Sequence, residues 1–433
     1  MITVAEFARR RRELMRMAGA DAALVVAAAP QRMRNADAAW PYRQDSDFHY
    51  LTGFPEPDAV LALLPGRARG EVVLFCRERD PQRERLDGPR IGPDAAAARF
   101  ALDDAFPVED IDDILPGMLE GRARLYCHFG RENEFDAQLL RWMRRLRSSR
   151  GGSVVPREFV ALGHLLHELR LYKSPAELAL MRRAAKVAAD AQLAALRAAR
   201  PGAAEYEVEA ALLHALRAHG AVPSYPPTVA AGANACVLHY TANRGKLARG
   251  DLLLIDAGAE IECYASDVTR TWPVGGNYPR ERRALYEVVL EAQLAAIDEV
   301  RAGRAFTAAH DTATRVIVAG LCALKLLPGS PRAALESGGY QRFFPHKTGH
   351  WIGLDVHDVG DYRVDDEPRM LEPGMVVTVE PGIYIAPDDT SVPAKWRGLG
   401  IRIEDDVAVT ARGQEVLTAA LPKDVATVEA LVN

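Results

Sequence analysis

An α/β domain followed by an α+β domain with an internal repeat is the fold class the sequence predicts. Three observations predict it: short apolar runs alternating with helical pattern before residue 172, a capped helix start at Ser174, and two strand-and-carboxylate units of equal spacing beyond it. A chain of 433 residues is long enough for two or three domains, each with its own core.

In chain order, residues 3 to 18 have helical apolar spacing, and ALVVAA, AVLALL and EVVLFC read as buried strands of the first domain. In RQDSDFHYLTGFPEPDAV, residues 43 to 60, glycine and proline mark loops around a short strand. RLYKSPAELALMRRAAK then offers Ser174 as N-cap, Pro175 at the first helical position, where its missing N–H costs nothing, and Glu177 at the third. This capping box starts a new helix and sets the boundary between domains spanning 1–170 and 171–433.

Helical stretches at 175–199 and 204–219 are closed by Pro201-Gly202 and Gly220. GDLLLIDAG (250–258) and DVTRTWPV (267–274) follow as strands about one hairpin apart. Two more helical stretches, 281–302 and 308–327, precede GMVVTVEPG (374–382) and GIRIEDDVAV (400–409), again strands. From Gly250 to Asp256 and from Gly374 to Glu380 is six residues, and two more lead to Gly258 and Gly382. Each half is therefore helix, helix, strand ending in a carboxylate, turn, and strand bearing a second carboxylate. Such a duplication implies internal pseudo-two-fold symmetry.

Composition narrows the function. Hydrophobic residues make up 48% and charged residues 26%, as in a soluble globular protein, and no apolar run approaches the roughly 20 residues that span a bilayer. A net charge of -5 sets up no field toward nucleic acid, and Arg9 to Arg12 read as a solvated helix face. The five cysteines are widely spaced and never form C-x-x-C, so reduced thiols are expected. The N-terminal stretch lacks the apolar core of a secretory signal, which makes the cytoplasm the expected location.

Asp256, Asp267, Glu380 and Glu404 lie at or within strands with hydrophobic neighbours. An isolated ionised carboxylate is costly to desolvate there and needs a counter-charge, a proton or a metal. Four such groups gathered together call for about four positive charges, which two divalent cations supply. With one imidazole added, this oxygen-dominated set suits Mn²⁺, Co²⁺, Fe²⁺ or Zn²⁺ rather than a thiolate-selecting metal, and Mn²⁺ is preferred. Two ions roughly 3.5 to 4 Å apart can share a hydroxide and steady both oxygens of a tetrahedral intermediate, which is hydrolytic chemistry. Strand alternation in Ile401-Arg402-Ile403-Glu404 places Arg402 beside Glu404 as an orienting group.

FFPHKTGHWIGLDVHDVG holds His346, His350 and His357 within twelve positions, and Gly349 and Gly353 argue against a regular helix through them. One histidine completes the metal set; the others can donate hydrogen bonds to a carbonyl oxygen or an oxyanion, and His239 in VLHYTAN is a further candidate. His167-Glu168 opens H-E-x-x, but Leu171 ends that pattern, and no G-x-S-x-G, P-loop or G-x-G-x-x-G occurs. Zincin, serine-hydrolase, nucleotidase and dinucleotide-dependent readings fall away.

VLHYTAN, LLLIDAGAE with SDVTRTWPV, HKTGHWIGLDVHDVG, VVTVEPGIY and GIRIEDD, in this order, resemble the motifs of the pita-bread metallopeptidases, and within them of the aminopeptidase P (Xaa-Pro aminopeptidase) family. RQDSDFHYLTGFPEPDAV is similar to that family's N-terminal domain. The resemblance implies that Asp256, Asp267, His350, Glu380 and Glu404 hold two metal ions, with Asp267 and Glu404 near the bridge. It further implies that His239, His346 and His357 bind substrate and stabilise the intermediate, that Arg402 supports the site, that Glu380 shuttles a proton, and that Tyr384 belongs to the substrate pocket. Lys347 and Thr348 depart from the glycine that many members of the family carry after the equivalent of His346. The implied substrates are peptides with proline in second place, and the implied assembly is a dimer or tetramer. A prolidase restricted to Xaa-Pro dipeptides and a non-catalytic peptide-binding protein on the same fold are the alternatives. Methionine aminopeptidases usually lack a domain like residues 1 to 170, and creatinase-like enzymes do without the metal ligands.

Overall fold

Alternation along the apolar runs builds the first sheet. The computed structural model describes residues 1–148 and 154–432, and the chain divides into two units, Met1–Arg170 and Leu171–Asn433. In the first, six strands run in the order Asp104–Pro107, Val72–Cys76, Val60–Leu63, Ala22–Ala27, Arg124–Cys127, Glu158–Ala161. Ala23 and Val25, Val60 and Ala62, Val73 and Phe75, and Leu125 and Cys127 belong to one core with Leu115, Leu119, Trp142 and Met143 from helices Ile111–Leu119 and Asn133–Ser148. Every second residue of a strand faces the same way, so these pairs line one face of the sheet. The stretch expected as loops around a strand departs from expectation: Ser46–Thr52 is a helix, capped by Asp45, which accepts from Phe48 N–H, and ended by Gly53 in the left-handed region. A local side-chain cap and a glycine stop outweighed the punctuation signal.

The second unit opens on the expected capping box. Ser174 N–H donates to Glu177 Oε2 at 2.8 Å and Glu177 N–H to Ser174 Oγ at 3.4 Å, starting helix Pro175–Ala198. That helix packs on Glu205–Ala218, and Arg280–Ile297 packs on Thr307–Ala323. Strand Leu252–Asp256 pairs antiparallel with Thr269–Pro273, and Val376–Val379 pairs antiparallel with Asp405–Thr410. The segment read as one strand over 400–409 is two, Leu399–Arg402 and Asp405–Thr410, broken at Glu404.

Two buried glutamines repeat the duplication in side chains. Gln192, on the first helix of the first pair, donates to Ile255 O at 3.1 Å and Val268 O at 3.0 Å. Gln293, on the first helix of the second pair, donates to Val379 O at 3.5 Å and Asp405 Oδ2 at 2.8 Å. Each amide thus holds the carbonyl immediately before a candidate acid, Asp256 in one half and Glu380 in the other. The halves are stitched together where Glu404 N–H donates to Thr269 O at 3.1 Å and Thr271 Oγ1 donates to Arg402 O at 2.9 Å.

Candidate metal centre

Asp256 ends the first central strand, Asp267 stands just before its partner, Glu380 follows the equivalent strand of the second half, and Glu404 stands in the break before its partner. His350 arrives by backbone pairing rather than from a free loop. Glu380 N–H donates to Thr348 O at 2.8 Å, Thr378 N–H to His350 O at 3.0 Å, and Ile352 N–H to Val376 O at 3.2 Å, so residues 348–352 run along the strand that leads to Glu380. Gly349 permits this approach: a Cβ there would lie 2.0 Å from Thr378 O.

All five side chains line one cavity of about 530 Å³, together with His239, His346, His357 and Arg402. Asp267, His350 and Glu404 each present a ligating atom, all within 4.8 Å of one another. His350 Nε2 is 3.5 Å from Asp267 Oδ2 and 3.5 Å from Glu380 Oε1, while His350 Nδ1 is 3.0 Å from Trp351 O. That second contact keeps a proton on Nδ1 and turns Nε2 toward the acids. The His357 ring packs edge-on against His350, centroids 4.3 Å apart.

Arg402 and Glu404 line the same cavity, the shared face that alternation along one strand suggested. Its guanidinium donates to Asp256 Oδ2 and, at 2.9 Å, to the Tyr384 hydroxyl, and Thr269 links it by hydrogen bonds to Glu404: Arg402 Nε donates to Thr269 Oγ1 at 3.2 Å, which donates to Glu404 Oε2 at 2.6 Å. Tyr384, expected in the substrate pocket, holds His346: its hydroxyl is 3.0 Å from His346 Nε2, and His346 Nδ1 is 2.7 Å from Lys347 O. Since that hydroxyl accepts from Arg402, its proton points to Nε2, and His346 is fixed as the Nδ1–H tautomer.

Protonation energetics in the metal-free cluster are those of too many acids and too little cation. Burial raises Glu404 well above the usual carboxylate range, and the charges of Asp267, Glu380 and Asp256 add to it. Burial pushes Glu380 up to about 7 against the opposing charges of His350 and Arg402. It raises Asp256 as well, with Arg402 opposing. Burial alone would depress His350, yet its hydrogen bond to Asp267 and the charges of Glu380 and Asp267 carry it to about 9. His346 falls to about 4, driven by burial and by the positive charges of Arg402, His310 and His239. Two buried carboxyls, two half-buried ones and one imidazole with its Nε2 turned inward are a hard, oxygen-rich donor set, so these residues fit divalent cations.

Sequence reasoning missed two members of this cluster. The Tyr225 hydroxyl lies 2.6 Å from Asp256 Oδ1 and also meets Asp267 Oδ1, and Thr269 supports Glu404. Tyr225 carried no local signal, because it precedes the acids by 31 and 42 positions.

The fold and this cluster define a metallopeptidase. Residues 179–411 match metallopeptidase family M24 and residues 7–126 match the aminopeptidase P N-terminal domain; the chain belongs to family M24, and its second unit has the pita-bread fold. It is 42% identical over 430 residues to an Xaa-Pro aminopeptidase of Escherichia coli, a match covering 99% of this chain and 97% of that one. The Haemophilus influenzae Xaa-Pro aminopeptidase is 41% identical over 429 residues, with 99% and 97% covered. A solved aminopeptidase of Pseudomonas aeruginosa has a TM-score of 0.98 at 55% identity, covering 100% of this chain and 98% of that one.

Proposed function

We propose that this protein releases the N-terminal residue from peptides with proline in second place, and that Asp256, Asp267, His350, Glu380 and Glu404 hold two divalent cations, preferably Mn²⁺, for the purpose. The observation that carries the reading is the meeting of these five side chains, from four strand ends and a paired segment, in one cavity. Such a pair of cations, when bound, supplies Lewis acidity and a hydroxide nucleophile at neutral pH.

The chain's own groups divide the remaining work. Glu380, in the cavity wall with its Oε1 3.5 Å from His350 Nε2, is placed to pass a proton to the departing proline nitrogen. An Xaa-Pro bond is a tertiary amide without an N–H, so recognition relies on shape and on its carbonyl oxygens. His239 and His357 are exposed within the cavity and are free to donate to those oxygens. His346 acts through Tyr384 and Arg402, since both its ring nitrogens are already engaged. Leu238 and Val356 supply apolar wall for the proline ring.

The test is hydrolysis of Xaa-Pro dipeptides and Xaa-Pro tetrapeptides by the Mn²⁺-loaded protein beside Glu380→Ala and His350→Ala. Cleavage of the tetrapeptide, with a loss of about a hundredfold or more in both variants, is expected. Activity confined to the dipeptide would make the protein a prolidase, and undiminished activity in the variants would overturn the residue assignment.

A further inference from the structure

Lys173, the residue before the capping box, has no part in the reaction proposed above, and neither has Asp358, the residue after His357. Their side chains meet inside the second unit. Lys173 Nζ donates to Asp358 Oδ2 at 3.0 Å and to Leu171 O at 3.4 Å, and both side chains are 1% exposed. Gly353 leaves the space for this contact, since a Cβ there would lie 2.2 Å from Asp358 Oδ2 and 2.7 Å from Lys173 Cε. Lys173 is itself held: its N–H donates to Gly374 O at 2.8 Å, and helix Pro175–Ala198 starts two residues on.

The two histidines of this stretch are anchored differently. His350 belongs to the segment paired with strand Val376–Val379, through Thr378 N–H to His350 O and Ile352 N–H to Val376 O. Residues 353–360 form no helix or strand, so His357 has no such ladder behind it. Two ties on Asp358 take its place: the carboxylate on Lys173, and the N–H, which donates to Trp351 O at 2.8 Å. That same carbonyl accepts from His350 Nδ1 at 3.0 Å. The ring turned toward the acids and the backbone that carries His357 therefore share one anchor, and the two imidazoles stand edge-on with centroids 4.3 Å apart.

We infer that the buried Lys173–Asp358 pair is a positioning device for His357, fixing where its imidazole meets a carbonyl oxygen of the substrate. This deepens the reading given under Proposed function and rests on the role of His357 there. Two desolvated charges contribute little net stability, and apolar side chains of the same size pack at least as well. An ammonium on a carboxylate supplies one direction and one distance instead, and a displacement of about 1 Å near a reacting group can cost roughly a hundredfold in rate. Because His350 has its own backbone ladder, loss of the pair displaces His357 and leaves the metal ligands in place.

The experiment is a double-mutant cycle in the full chain. Lys173→Met/Asp358→Asn removes both charges at nearly constant shape, so neither is left buried and unpaired. Lys173→Gln is the milder second variant, read in the same way should the paired one melt below the assay temperature. Each is made with and without His357→Ala; kcat/KM for an Xaa-Pro tetrapeptide is measured on the Mn²⁺-loaded proteins and Mn²⁺ affinity by calorimetry on the metal-free ones. The paired variant should lose about tenfold in kcat/KM, keep the wild-type Mn²⁺ affinity, and cost nothing further once His357 is alanine. A loss by the same factor in both backgrounds, no loss in a folded variant, or a fall in Mn²⁺ affinity overturns the inference while the peptidase reading stands. If the wild type cleaves no Xaa-Pro peptide, or if His357→Ala is as active as the wild type, the reading of the site itself is wrong and the inference falls with it.

Discussion

The hydroxyl of Tyr225 lies 2.6 Å from Asp256 Oδ1 and touches Asp267 as well. A phenol has one proton to give, so it can serve as donor to only one of these acids; the other must be protonated or balanced by a cation. Tyr225→Phe keeps the ring and removes the tie between the two acid-bearing strands. A drop of about tenfold in Mn²⁺ affinity is expected, measured by titration calorimetry on the metal-free protein. Equal affinities would reduce Tyr225 to a packing residue.

Cations that neutralise these four clustered acids should stabilise the folded chain, because the unfolded chain offers no such site. At Mn²⁺ near a hundred times its dissociation constant the gain is about 2.7 kcal/mol, or roughly 5 to 10 °C in melting temperature for a domain of this size. Chelation should reverse it. Glu404→Gln, which keeps the shape of the side chain, should lose most of the shift, and differential scanning calorimetry with and without Mn²⁺ reads both results.

Gly349 has no room for a side chain, since a Cβ there would meet Thr378 O at 2.0 Å. Gly349→Ala must push residues 348–352 away from the strand that leads to Glu380. A destabilisation of about 1 to 3 kcal/mol is expected from the overpacking, with a lower kcat because His350 moves away from Asp267 and Glu380. Urea unfolding and steady-state kinetics separate the two effects.

In the first unit, Asp47 is fully buried and faces Arg170 at 2.7 Å, Arg131 at 2.9 Å and His128 at 2.9 Å. Burial alone would raise its carboxyl, but these partners, His128 first, hold it well below the usual carboxylate range. The sign follows: the folded state favours the ionised form, so the contribution is present above the unfolded carboxylate value, near pH 4, and is lost as pH falls through the lower folded value. Asp47→Asn should flatten this part of the acid-unfolding curve and weaken the unit at neutral pH by about 3 kcal/mol. A variant whose acid transition overlays the wild type would show that other acids govern it.

Local chemistry made much of this protein legible in advance. Ser174, Pro175 and Glu177 carry a helix start within four residues, and alternation in ALVVAA or GDLLLIDAG carries a strand, because cap hydrogen bonds and apolar periodicity depend on neighbours along the chain. Asp256, Asp267, Glu380 and Glu404 stood out for the same reason: acids at the ends of apolar strands need compensation wherever those strands go. Tertiary structure alone decided which groups meet them. Arg402 faces Asp256, 146 positions away, and Tyr225, Thr269, Gln192 and Gln293 join the acid-bearing strands across gaps that no local pattern encodes. Hydrogen bonds between distant segments depend on how strands break and pair in three dimensions, and periodicity along one strand says which residues share a face but not which distant groups that face will meet.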